Sequence, residues 1–145
     1  MENMKAVRVH NYGGPEVLHF EDAPRPSPGS GELLIRVHAA SVNAIDWKAR
    51  AGYLKDVFPL PLPYIPGWDV SGIVEAIGPG VTQFKKGDEV YAVPDGARSG
   101  KGTYAEYVVV ISQCRMMSGS PPPPWLDPQT RALEPLLCTI GSINP

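Results

Sequence analysis

Ile65-Pro66-Gly67-Trp68-Asp69-Val70-Ser71-Gly72-Ile73-Val74 joins a tight turn to a strand. Pro66-Gly67 is a turn signal, because proline presets φ and glycine accepts backbone geometry closed to other residues. Val70 to Ile77 is rich in Val and Ile and reads as a strand; its internal Gly72 marks a bulge or a close backbone approach. A carboxylate, Asp69, stands at the junction. Trp68, beside it, carries no metal-ligating atom.

Working outward, the pattern is of short strands. Lys5 to His10 alternates, Asn11 to Pro15 is a turn, and Val17 to Glu21 is a second short strand. Pro24 to Gly31 is too rich in proline for a central strand. Glu32 to Ser41 is the clearest strand, with Leu33, Ile35, Val37 and Ala39 on one face and Leu34, Arg36, His38 and Ala40 on the other. Asn43 to Ala51 is a short helix: Ser41 or Asn43 can cap it, Asp46 suits its first turn, and Gly52 can end it. Gly78-Pro79-Gly80 is a turn, Phe84 to Asp88 is another, Glu89 to Val93 is a strand, residues 94–102 are a polar loop, and Thr103 to Ile111 is the last strand. Many short strands with one short helix predict a mainly β fold, a compact barrel or sandwich rather than a βαβ unit.

After Ile111 the character changes. Residues 112–145 carry seven of the 17 prolines, four of them consecutive at Pro121 to Pro124, and no strand alternation. Thr130 to Leu137 has weak helical character broken by Pro135. The sequence therefore divides into a folded domain, residues 1–111, and a Pro-rich tail, residues 112–145, of no recognised family and expected to be disordered.

Composition narrows the function. The 145 residues suffice for one core. A net charge of −2 with no basic stripe argues against nucleic-acid binding. No apolar run approaches the ~20 residues that cross a bilayer, and the N-terminus has no secretory pattern. No membrane role and a cytoplasmic location follow as expectations. Cys114 and Cys138 have neither disulfide-framework nor metal-ligand spacing. His10, His19 and His38 have no spacing that suggests a metal or a proton relay.

Four segments together carry a resemblance: Ala39 to Lys48, Pro66 to Gly72, Val81 to Tyr91, and Gly102 to Val108. In order and spacing they resemble the N-terminal, GroES-like domain of the medium-chain dehydrogenase/reductase superfamily, most closely its zinc-independent quinone oxidoreductase branch. The similarity runs from residue 4 to about 111. It implies a partly open β-barrel with one or two short helices.

The resemblance also implies chemistry. In the zinc-dependent members a cysteine stands where this chain has Asn43, and a histidine where it has Trp68; neither residue here binds zinc. Their structural-zinc lobe would fall in the 94–102 loop, which has no cysteine. No zinc is therefore expected. In the metal-free members hydride passes from NADPH to a quinone, an enone or another small carbonyl compound. The likeness places Asn43 near the nicotinamide, its amide facing cofactor or substrate, with Asp46 one helical turn on, able to orient Asn43 or a proton-carrying water. Both residues can equally serve as helix caps.

Lys48, Tyr53, Trp68 and Asp69 are candidates for lining the substrate or cofactor site, with solvated, packing or turn-stabilising roles as the alternatives. The family's Rossmann domain, with its glycine-rich pyrophosphate turn, has no counterpart in these residues. The expectation is a substrate-side domain that is inactive as an isolated chain, holds NADPH weakly, and self-associates through the surface the second domain would cover. A non-enzymatic β-barrel interaction module, or a non-functional truncated product, stands as the alternative.

Overall fold

The computed structural model describes residues 2–94 and 100–112. The 130–137 helical segment, both cysteines and nearly all of the Pro-rich tail lie outside the described residues, as does the middle of the 94–102 loop.

The elements run β1 (Asn3–Val9), a 3-10 turn (Pro15–Val17), β2 (Leu18–Pro24), β3 (Glu32–Ala40), α1 (Ala44–Arg50), β4 (Val70–Ile77), β5 (Glu89–Ala92) and β6 (Tyr107–Ile111). β1 and β2 form an antiparallel hairpin. The other strands form a four-stranded sheet in the order β5-β4-β3-β6. Among the described residues the two sheets do not close into a continuous barrel. Isolated bridges Ala6–Ala105, Val9–Tyr64 and Ile65–Lys101 stitch them together, giving the mainly β architecture that the strand pattern predicts, partly open as the family resemblance implies. No described helix is long and apolar enough to cross a membrane.

The main core lies on the four-stranded sheet, where Leu33 and Ile35 of β3 meet Val70 and Val74 of β4, Val90 of β5, and Val108 and Val110 of β6. A second cluster, Val9, Ala49, Leu60 and Tyr64, seats α1 against β1. A third, Met4, Ala6 and Ala23, fills the hairpin side.

Three strands depart from the sequence reading. β3 does not alternate cleanly: Leu33, Leu34 and Ile35 are all buried. The β3–β4 register shifts between Leu34 and Ile35 and again between Val37 and Ala39, and such bulges break the two-residue period. β2 continues to Pro24, which pairs with Asn3 at the hairpin's open end, where a missing N–H is tolerated. The last ladder begins at Tyr107 instead of Thr103. The residues before it change partners: Tyr104 N–H donates to Pro66 O at 3.0 Å, Val7 N–H to Tyr104 O at 2.8 Å, Glu106 N–H to Lys5 O at 3.0 Å, and Val37 N–H to Glu106 O at 2.9 Å. Residues 104–106 thus cross between the two sheets.

That crossing presses residues 65–67 against residues 100–104. Ile65 N–H donates to Gly100 O at 2.8 Å and Gly102 N–H to Ile65 O at 2.9 Å. A Cβ on Gly102 would overlap the Ile65 and Pro66 carbonyls. Gly67 has φ +101°, and a Cβ there would overlap Thr103 Oγ1 and lie 2.6 Å from Tyr104 Cδ1. Gly67→Ala is therefore expected to cost about 3 kcal/mol or more, from left-handed strain plus overpacking. Gly87→Ala, at φ +95° with nothing within 4 Å, should cost only about 1–2 kcal/mol. Urea unfolding of both variants checks this; equal losses would refute the close approach at Gly67.

Candidate functional site

Three segments converge at one end of the β3–β4 pair. Ala40 pairs with Val70, so the residues just beyond them, Ser41 and Asp69, face each other. Ser41 Oγ donates a short hydrogen bond to Asp69 Oδ2. Asn43 Nδ2 donates to the same oxygen at 2.6 Å and contacts Ser41 Oγ at 3.1 Å. Asp69 thus holds the Asn43 carboxamide in one orientation. These bonds tie Asp69 to the Ser41–Asn43 segment, while the turn's Gly67 N–H goes to Asp46.

Asp46 occupies the third position of α1, whose N-cap is Asn43. Its Oδ2 accepts the Asn43 backbone N–H at 2.6 Å, and its Oδ1 accepts the Gly67 N–H at 3.0 Å. Asp46 therefore contacts the Asn43 backbone, while the Asn43 side chain turns to Asp69. The Asp46 side chain is buried, with the residue only 5% exposed. Burial pushes its carboxyl above the ordinary value of 3.8, outweighing the two backbone donors that favour the charged form; the Asp69 charge adds to the rise. Tyr64 is pushed up to about 12 by burial and by the Asp46 charge. Burial likewise raises Tyr104. The Tyr104 hydroxyl lies in the field of Asp46 without a direct hydrogen bond of good geometry to it.

Beside Asp46 is an apolar recess of about 150 Å³, walled by Leu18, Val42, Trp47, Pro66 and Tyr104, with Arg50 at its edge. Trp47 is 44% and Tyr53 72% exposed. Their rings meet edge to face at 5.9 Å, and Lys48 Nζ lies 5.7 Å from the Trp47 centroid. Tyr53 and Lys48 therefore flank an exposed tryptophan. Trp68 packs on Phe58, ring centroids 5.6 Å apart, and is not among the recess walls. The structure brings Asn43, Asp46 and Asp69 together, sets Lys48 and Tyr53 on the neighbouring aromatic face, and gives Trp68 a packing contact.

Trp47, Arg50 and Tyr104 were not candidates from sequence. The helical spacing of Asp46 and Arg50, four residues apart, was a usable signal that they share a face. Nothing in the sequence marks Trp47 as exposed or Tyr104 as crossing behind the turn.

Among the described residues no group of three or more His, Cys, Asp or Glu side chains can hold a metal ion. The local donors are two carboxylates, both already accepting hydrogen bonds, next to a carboxamide and an indole.

Asp46 ties stability to pH. Its carboxyl binds a proton more tightly in the folded state, so its contribution is fully present below about pH 4 and is lost as pH rises through the elevated folded value. The stability margin of wild type over Asp46→Asn should therefore widen as pH falls from 7 toward 4; parallel stability–pH curves would refute the elevated carboxyl. Asp46→Ala, which leaves both N–H donors without their acceptor, is expected to cost about 2 kcal/mol or more by urea unfolding.

The alcohol dehydrogenase GroES-like domain family matches residues 29–118. The chain is 47% identical over 107 residues to the quinone oxidoreductase of Sus scrofa, spanning 73% of this chain and 31% of that protein. A mycobacterial protein solved in complex with NADPH superposes with a TM-score of 0.66 and 38% identity, over 81% of this chain and 32% of that one. A cobalt- and zinc-bound thermostable alcohol dehydrogenase from Pyrobaculum aerophilum superposes with a TM-score of 0.71 and 32% identity, over 83% and 43%. A metal-bound enzyme and an NADPH complex are thus both among the solved structures it resembles, and the chain spans about a third of the length of the quinone oxidoreductase it matches.

Proposed function

The chain belongs to the alcohol dehydrogenase GroES-like domain family, and from that premise we propose that it is the substrate-side domain of a zinc-independent, NADPH-dependent oxidoreductase acting on quinones or enones. The observation that carries the reading is the Asn43 carboxamide fixed by Asp69 and Ser41 next to an apolar recess and an exposed aromatic face. The likeness to quinone oxidoreductases supports the substrate class.

Zinc does not fit the donor set. A catalytic zinc takes about three protein ligands in tetrahedral array, whereas Asn43 and Trp68 offer neither thiolate nor imidazole, and Asp46 and Asp69 are committed to hydrogen bonds. The proposal predicts that protein purified and dialysed against buffer without chelator carries well under one zinc per chain by elemental analysis. A tightly held stoichiometric zinc would defeat it.

NADPH fits in part. When bound, it supplies the hydride for reduction of a conjugated carbonyl. Trp47 and Tyr53, their rings perpendicular, offer an exposed aromatic corner, Lys48 a cation, and Asn43 a positioned amide. Of the two contacts made by Asn43 Nδ2, the 3.1 Å approach to Ser41 Oγ is the weaker, and a substrate carbonyl competes for it. Asp46 positions the loop that carries Asn43. The pyrophosphate finds no cradle: α1 is the one α-helix among the described residues, and its Asn43 N–H is taken by Asp46. The 145-residue polypeptide is therefore expected to bind NADPH weakly and turn over little. Titration by nicotinamide fluorescence should show no saturation in the micromolar range; micromolar binding would reject this division of labour.

The exposed Trp47–Tyr53 pair favours a second reading, a binding module without turnover whose aromatic face docks a protein surface or a second copy. Concentration-dependent self-association that Trp47→Ala abolishes would support it.

A further inference from the structure

Among the described residues three hydroxyls are buried with no hydrogen-bond partner: Tyr64 Oη, Thr103 Oγ1 and Tyr104 Oη. Tyr104 and Thr103 border the Asp46–Gly67 contact, and Tyr64 feels the charge of the same carboxylate. The Tyr104 ring walls the recess together with Asp46. The charges of Asp46 and Arg50 act on both the Tyr64 and Tyr104 hydroxyls. Thr103 Oγ1 sits against Gly67, the residue whose N–H binds Asp46 Oδ1. Leaving a hydroxyl buried and unpartnered costs about 1–3 kcal/mol, and folded proteins avoid that cost with ordered water where no protein group reaches. A buried water needs about two to four polar partners. The Asp46 carboxylate, which accepts one N–H on each oxygen, and the unpartnered hydroxyls can provide them.

We propose that Tyr64, Thr103, Tyr104 and Asp46 form an internal water-binding site beneath the recess, linking the buried carboxylate to the recess wall. The site stands on burial and geometry, and its test does not depend on the oxidoreductase reading. It does distinguish an internal water from a direct Tyr104–Asp46 hydrogen bond.

Two measurements on the 145-residue protein test it. A crystal structure at a resolution that shows water should contain an ordered solvent peak within hydrogen-bond distance of at least two of the three hydroxyls; no peak overturns the proposal whatever the variants do. Thermal unfolding of Tyr64→Phe, Thr103→Val and Tyr104→Phe gives an independent sign. Removing a hydroxyl that coordinates water should lower Tm by ~4–8 °C. Removing an unsatisfied hydroxyl raises Tm or leaves it unchanged, which overturns the site. A loss confined to Tyr104→Phe indicates a direct bond to Asp46 and also overturns it.

Discussion

One carboxylate ties the two halves of the site together. Asp46 accepts the N–H that starts α1 with one oxygen and the N–H of Gly67 with the other. The helix follows β3 and the turn precedes β4, at the same end of the pair, and no other described side chain bonds to both. The bridge explains why a carboxyl group stays buried despite the desolvation that raises it: two backbone donors in a dry environment offset part of that cost. Glycine at 67 is the matching requirement. Any side chain there would push the turn off Thr103 and Tyr104 and carry the N–H away from Asp46.

From that bridge the polar and apolar parts of the site separate. Asp69 and Ser41 orient Asn43 on one flank, while Trp47, Tyr53 and Lys48 form an open face on the other. Asp46 and Asp69 have divided roles: Asp46 is buried and structural, holding backbone, and Asp69 is half-buried and holds side chains. A site built this way positions groups and excludes water, leaving redox chemistry to a bound cofactor.

Much of this was legible in the sequence because it depends on local rules. The Pro66-Gly67 turn, strand Val70 to Ile77, and a helix capped by Asn43 and ended at Gly52 follow from turn chemistry, β-branched runs and capping. Helical spacing put Asp46 on the same face as Asn43, the family resemblance made Asn43 a site candidate and Asp69 only a lining one, and the structure shows the hydrogen bonds that join the three. The burial of Leu34, the bulges in β3 and the partner exchange at residues 104–106 were not legible. Each depends on which distant strand a residue meets, and a period-two pattern carries no register. For the same reason Tyr104 and Trp47 escaped notice: one is defined by a crossing between sheets, the other by exposure.

The central claim is that Asp46 pins the turn to the helix, and amide hydrogen exchange of the 145-residue protein tests it most directly. The Gly67 N–H should exchange as slowly as the Val74 N–H of the core strand, which donates to Asp88 O at 2.9 Å, and Asp46→Ala should release Gly67 while Val74 stays protected. A Gly67 amide that exchanges in the wild type as fast as an exposed loop amide would contradict the account.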